Sequence, residues 1–320
     1  MKSLVVTSPS AEPQLTTAPI PTPEPSEIQI SIDACALNFA DLLIMKGKYQ
    51  DTPSFPLTPG IEVAGTITAV GADVDQARIG DHVIAQVGHG GLAEFVVCDA
   101  GRAVPLPSEM PAEIGAALQV VYGTSHLALV GRARLQPGER LVVLGAGGGV
   151  GLAAIEIGAA IGATVIAVAT GTKKTEAARK AGAHHVVDLS EVADLRSTLL
   201  EFGRSDVVYD PVGGEVGLAA QRTLQIEGRH LLIGFASGDL PELKPNHLLV
   251  KNLDVIGVNW SAYVSHRPDI ARNSVSRSID MWLKNQIFPH IGARYSLDEA
   301  VDALHALRDR KVTGKIVVTP

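Results

Sequence analysis

The chain has 320 residues, more than one compact core usually takes, so one large or two moderate domains are expected. Hydrophobic residues make up 46% and charged residues 19%, which argues against global disorder, and a net charge of -7 gives no basic footprint for nucleic acid. The two cysteines, Cys35 and Cys98, form neither a disulfide framework nor a metal knuckle and suit a reducing cytoplasm, while MKSLVVTSPS has too short an apolar run for a signal peptide.

From Lys2 to about Ala103 the pattern is strand and turn: KSLVVT, EIQISIDAC, IEVAGTITAVG, DHVIAQV and LAEFVV, separated by Pro-rich or Gly-Asp turns. PIPTPEP reads as an extended surface connector, and only NFADLLIMKG, from Asn38 to Gly47, as a short helix. After Pro111 helix and strand alternate through HVVDL, DVVYD, RHLLIGF and LDVIGV, the rhythm of a doubly wound parallel sheet. SLDEAVDALHALRDR opens with a capping box at Ser296 and Glu299, and GKIVVTP supplies a last strand.

Residues 141–170 carry a single charge, Glu156, and are long enough to cross a bilayer. Their punctuation indicates otherwise: LVVLG is a strand, the glycines a turn, LAAIEIGAAIG a helix with an apolar stripe at Val150, Ala154, Ile157 and Ile161, and TVIAVAT a second strand. A glycine turn between strand and helix lets a pyrophosphate approach backbone N–H groups at the positive helix end. Here Ala146, Gly148 and Gly151 stand where the dinucleotide fingerprint has three glycines, and no Gly-Lys-Ser/Thr follows, which excludes the nucleotide-hydrolase loop. The end of the second strand chooses the cofactor, because an acid there would bond a free ribose hydroxyl. Instead Thr170, Gly171 and Thr172 lead to Lys173 and Lys174, with no acid before Glu176, which favours the 2′-phosphate of NADPH; an ordinary solvated lysine pair is the plainer alternative.

The motifs NFADLLIMKGKY, LTPGIEVAGTITAVG, VYGTSHLAL, LQPGERLVVLGAGGGVGLAA, DVVYDPVGG, EGRHLLIGFASG, LVKNLDVIGVNW and the terminal GKIVV, in this order, resemble the zinc-free quinone oxidoreductase (zeta-crystallin-like) branch of the medium-chain dehydrogenase/reductase superfamily. The resemblance implies an α/β chain with a GroES-like β-rich catalytic domain over residues 1–118, completed by 261–320, and a doubly wound Rossmann domain over 119–260 that binds NADPH. It implies a homodimer as well, in which the apolar run LLVKNLDVIGVNW would be a covered edge strand. Zinc-dependent relatives carry Cys at the position of Asn38 and His in place of Ile61; this chain has neither, and its scattered histidines and cysteines offer no ligand spacing. His184 and His185, at a strand start, read as surface or core packing.

By the same resemblance, Asn38 and Thr124 lie near the nicotinamide and can bond its carboxamide or a substrate oxygen; a helix N-cap and a helix-start hydroxyl are their plainer readings. Gly149, Val150 and Gly151 would meet the pyrophosphate, Gly234, Phe235 and Asn259 would line the nicotinamide side, and Arg310 matches a basic residue of some relatives. Tyrosines of several quinone reductases are replaced by Leu43 and Leu189, leaving Tyr49 as a possible proton donor or a packed loop aromatic. Without zinc, hydride must go to an activated acceptor such as a quinone or an α,β-unsaturated carbonyl. Three readings stand: an NADPH:quinone oxidoreductase, an enone or enoyl-thioester reductase, and a non-catalytic NADPH-binding, crystallin-like protein.

Overall fold

Alternation of apolar residues builds the first part of the chain from strands, as in EIQISIDACA, where Ile28, Ile30, Ile32 and Ala34 are all buried. The computed structural model describes residues 1–320. In chain order its first elements are β1 (Lys2–Val5), β2 (Gln14–Thr17), β3 (Glu27–Ala36), α1 (Phe39–Ile44), β4 (Glu62–Val70), β5 (His82–Gln86), β6 (Phe95–Asp99) and β7 (Ala103–Pro105). Then α2 (Ala112–His126) continues as a wider helical turn over Leu127–Arg132. This stretch alone is long and apolar enough to cross a membrane, and 78% of its apolar window is buried within the fold.

The alternating part follows: β8 (Arg140–Val143), α3 (Gly149–Ile161), β9 (Thr164–Ala169), α4 (Thr172–Lys180), β10 (His185–Asp188), α5 (Leu195–Glu201), β11 (Ser205–Asp210), α6 (Gly214–Gln221), β12 (Leu224–Leu232), α7 (Pro245–Lys251), β13 (Asp254–Gly257), α8 (Trp260–His266) and α9 (Pro268–Leu283). The chain closes with β14 (Ile291–Ser296), α10 (Ala300–Arg308) and β15 (Lys315–Thr319). Six strands form a parallel sheet in the order β10-β9-β8-β11-β12-β13, the doubly wound arrangement. In the other large sheet β14, β15, β3, β4, β5 and β7 follow one another and β6 pairs with β3.

The chain divides into two units, residues 1–120 with 291–320, and residues 121–290. In the first, Ile28, Ile30, Val63, Ile67, Val83 and Leu92 share a core with Ile316 and Val318 of β15, so the C-terminus completes the sheet that the N-terminus begins. The expected return to this unit at residue 261 is corrected to Ile291. The reason is packing: Trp260 closes on Gly123, the Tyr263 hydroxyl accepts from Arg132 at 2.9 Å, and the Phe288 amide donates to Glu156 at 2.8 Å, all inside the second unit.

Residues 141–170 form strand, turn, helix and strand as their punctuation indicates, but α3 is buried from Gly151 to Gly158 on all sides and has no single stripe. The sheet covers one face, while Tyr122 and the segment at Phe288 reach over another to Glu156, whose Oε2 accepts both at 2.8 Å. Burial lifts the Glu156 carboxyl above its usual range, and the Tyr122 phenol well above its own. One strand, β2, has all four residues exposed and carries no periodic signal.

Candidate functional site

In the second unit, β8 ends at Val143 and the chain turns through 144–148 into α3. The Ala146 amide donates to Val168 at 3.0 Å and the Gly148 amide to Gly145 at 3.0 Å. Ala146, grouped with the cofactor-binding residues as the first fingerprint position, is fully buried, which corrects direct contact with the cofactor: it fastens the turn to β9, a task alanine performs as well as glycine. Gly151 is different, because a Cβ there would stand 2.4 Å from the Gly145 carbonyl oxygen and 2.8 Å from the Ala146 Cα. Gly149, Val150 and Gly151 open the 13-residue α3, and no side chain caps their N–H groups. Three such amides at the positive end of a helix are a fitting cradle for a pyrophosphate.

Beside it, β9 ends at Ala169 and the exposed Thr170 leads through Gly171 to Lys173 and Lys174 in the first turn of α4. Lys174 lies across the glycine turn: a Cβ on Gly147 would meet its Cβ and Cγ at 2.6 Å and its Cδ at 2.9 Å. One acid reaches this corner, Asp188 at the end of β10, which sequence inspection around residue 170 misses because it arrives from the next strand. Its Oδ1 accepts the Gly171 and Ser190 amides at 2.9 and 3.0 Å and the Ser190 hydroxyl at 2.6 Å, and these donors hold the carboxyl below its usual range.

At the ends of the neighbouring strands stand Gly234 and the 40%-exposed Phe235, after β12. Asn259 is the N-cap of α8, its Oδ1 accepting the Ala262 amide at 3.2 Å, so this side chain already has a structural task. Thr124 is buried in the last turn of α2, correcting its reading as a helix-start hydroxyl. Its neighbour Ser125 bonds the Val150 carbonyl at 3.1 Å and the Tyr209 hydroxyl at 2.8 Å, tying α2 to the first turn of α3.

The first unit holds a buried polar cluster around Asn38. Its Nδ2 donates to Ala36 at 3.1 Å and to Glu62 Oε1 at 2.7 Å, while its Oδ1 accepts from Lys315 Nζ at 2.7 Å. Both amide hydrogens are therefore committed, which corrects any role for Asn38 in donating to a substrate oxygen. Lys315 also donates to the Leu37 carbonyl at 2.7 Å and to Glu62 Oε1 at 2.8 Å, and Glu62 Oε2 accepts the Val120 amide at 2.7 Å. Asp41 reaches back to the Asn38 amide at 2.7 Å and takes the Gly60 amide at 2.9 Å, yet burial pushes its carboxyl up to about 6. Burial in the same cluster, next to these two carboxylates, drives the Cys35 thiol well above its usual range.

Ile61 packs with Val6, Ile44 and Leu57, and Tyr49 is half-buried against the same cluster, the packed-aromatic alternative. Arg310 is exposed in the turn after α10, with a left-handed φ of 54°. His184 accepts the Val165 amide at 3.1 Å and His185 stacks on Phe202, and both are exposed, the surface alternative of their reading. Sequence inspection missed Asp41, Glu62 and Lys315; the available signal was a lone charge in an apolar strand, Glu62 in IEVAG and Lys315 in GKIVV.

A β-rich unit closed by the C-terminus, and a doubly wound unit with an open glycine cradle, define a dinucleotide-dependent oxidoreductase. Comparisons agree: residues 24–108 match the alcohol dehydrogenase GroES-like domain family and residues 149–276 the zinc-binding dehydrogenase family. Quinone oxidoreductase-like protein 2 of Bos taurus is 36% identical, covering 92% of this chain and 86% of its own. A mycobacterial protein solved in complex with NADPH superposes with a TM-score of 0.92 at 26% identity, covering all of both chains. The quinone oxidoreductase of Thermus thermophilus, also solved with NADPH, gives 0.86 at 31% identity, again over both whole chains. The chain thus belongs to the quinone oxidoreductase branch of the medium-chain dehydrogenase/reductase superfamily, and it is an enzyme of that kind.

Proposed function

We propose that the protein transfers hydride from NADPH to a small electron-poor acceptor of the quinone class, without zinc. The observation that carries the cofactor choice is Lys174 lying across Gly147 of the phosphate turn, where its ammonium suits a 2′-phosphate. When bound, NADPH supplies the hydride. The amides of Gly149, Val150 and Gly151 bind its pyrophosphate, Lys173 and Lys174 bind its 2′-phosphate, and Gly234 and Phe235 border its nicotinamide. The Thr124 hydroxyl bonds the carboxamide or the acceptor oxygen.

Zinc independence is supported by the occupant of the Asn38 cluster. The Lys315 ammonium, bonded to both Asn38 Oδ1 and Glu62 Oε1, neutralises the carboxylate and repels a divalent ion beside it. A cytoplasmic setting suits the two buried free thiols, Cys35 and Cys98. A homodimer is supported by the open edge of β13 and by Leu249 and Val250, each 78% exposed on α7.

The test mixes the protein with NADPH or NADH and a panel of quinones, enones and an acryloyl thioester, following loss of reduced-cofactor absorbance with and without a chelator. Quinone-dependent NADPH oxidation that survives the chelator is expected. Tight NADPH binding without turnover of any acceptor would overturn the catalytic reading, and turnover confined to enones or the thioester would move the acceptor class. Sizing in solution checks the dimer.

A further inference from the structure

The one imidazole of the second unit with no solvent exposure, His230 on β12, has no part in the scheme above, yet three elements of the cofactor side meet at it. Its Nε2 stands 3.0 Å from Asp210 Oδ2, with both side chains fully buried. Its Nδ1 is 3.2 Å from Gln221 Nε2 at the end of α6. An amide nitrogen can only donate, so Nδ1 accepts and the proton is on Nε2, pointing at the carboxylate. The other oxygen, Asp210 Oδ1, accepts the amides of Val212 and Gly213, each at 2.8 Å. The carboxylate thus pins the turn after β11, and the imidazole holds the carboxylate. Gly217 leaves the room: a Cβ there would be 2.2 Å from Asp210 Oδ2.

This turn braces the two loops assigned to the cofactor. Toward the nicotinamide side, the Ala236 amide donates to Pro211 at 3.0 Å, and the Ser237 amide and hydroxyl donate to Val212 at 3.0 and 2.7 Å. Gly213, at a φ of 74°, stands against the Phe235 ring, where a Cβ would come within 2.9 Å. Toward the phosphate side the support is only van der Waals contact, with a Cβ on Gly145 meeting Val212 and Pro211 at 3.1 and 3.3 Å. Hydrogen bonds are directional and specify position, whereas such contacts tolerate small shifts.

We infer that His230 is a positioning residue for the nicotinamide half of the cofactor, acting through Asp210 and the Pro211–Gly214 turn on the Phe235 loop. The inference rests on the NADPH reading given above. His230→Leu removes the donor to Asp210 at similar volume, and His230→Gln restores an N–H at about the Nε2 position. Binding of NADPH and of 2′,5′-ADP, which carries only the adenosine end, is measured for each by titration, with far-UV circular dichroism as the folding control. His230→Leu is expected to weaken NADPH about tenfold, the worth of one hydrogen bond to a charged group, with 2′,5′-ADP within twofold of wild type and His230→Gln recovering most of the NADPH loss. Equal NADPH affinity in His230→Leu, an equal loss for both ligands, or no rescue by His230→Gln would overturn it.

Should His230→Leu not fold, wild-type protein with nitrogen-labelled histidine decides the matter. The His230 Nε2–H signal is expected to shift on adding NADPH and to stay in place on adding 2′,5′-ADP; no shift with NADPH overturns the inference. Wild-type protein that binds neither ligand overturns the cofactor reading and the inference together, an outcome distinct from intact binding that His230 does not influence.

Discussion

Replacing Lys315 by Met leaves the Glu62 carboxylate, fully buried, with the Asn38 and Val120 donors but no countercharge. Breaking a buried pair from one side costs about 3–5 kcal/mol. Lys315→Met is therefore expected to lose about 3–5 kcal/mol of first-unit stability at pH 7. Adding Glu62→Gln to Lys315→Met removes the stranded charge and should recover at least half of the loss at pH 7. The assay is amide hydrogen exchange in β3, β4 and β15 at pH 7, since both tryptophans, Trp260 and Trp282, lie in the second unit and report on the wrong core. A loss below about 1 kcal/mol at pH 7, or no recovery on adding Glu62→Gln, would refute the buried-charge argument.

Gly151→Ala forces a Cβ against backbone and should weaken NADPH at least tenfold, whereas Gly147→Ala displaces the Lys174 side chain and should chiefly lower the preference for NADPH over NADH; titration with both cofactors separates the two. A Lys173→Ala/Lys174→Ala double variant is expected to lose about 10–100-fold in that preference, one to two decades for charge-assisted bonds to a phosphate, and an unchanged ratio would place the 2′-phosphate elsewhere. Asp41 titrates near 6 in the fold against 3.8 when exposed, so the protonated form is the one the fold favours. Its contribution to stability is full below the lower value, is lost as pH rises between the two, and is flat above; wild type minus Asp41→Asn should show a fall on the order of 2–3 kcal/mol across that window in denaturant unfolding at pH 4 and 7.

Much of this was legible in the chain. The parallel sheet was readable because its central strands are buried on both faces and so appear as unbroken apolar runs, LVV at residues 141–143 and VIAVA at 165–169, between glycine-marked turns. The capping box at Ser296 was readable because it is local: the Glu299 carboxylate accepts the Ser296 amide at 2.9 Å three residues away. Local rules failed where a partner comes from far along the chain. Residue 261 was a plausible return point to the first unit until Trp260 was seen packed on Gly123, and α3 lost its stripe once Phe288 covered its outer side.

The sequence by itself determined the two sheets, the phosphate turn and the lysines beside it, since periodicity, glycine placement and charge act within one or two turns of chain. Only the tertiary structure decided how the polar groups are spent. Asn38 is bound to Lys315 across 277 residues, Asp188 reaches Gly171 across 17, and His230 holds Asp210 across 20. Hydrogen-bond capacity is a property of the residue, but its commitment depends on which strand arrives beside it, and that is fixed only when the cores close.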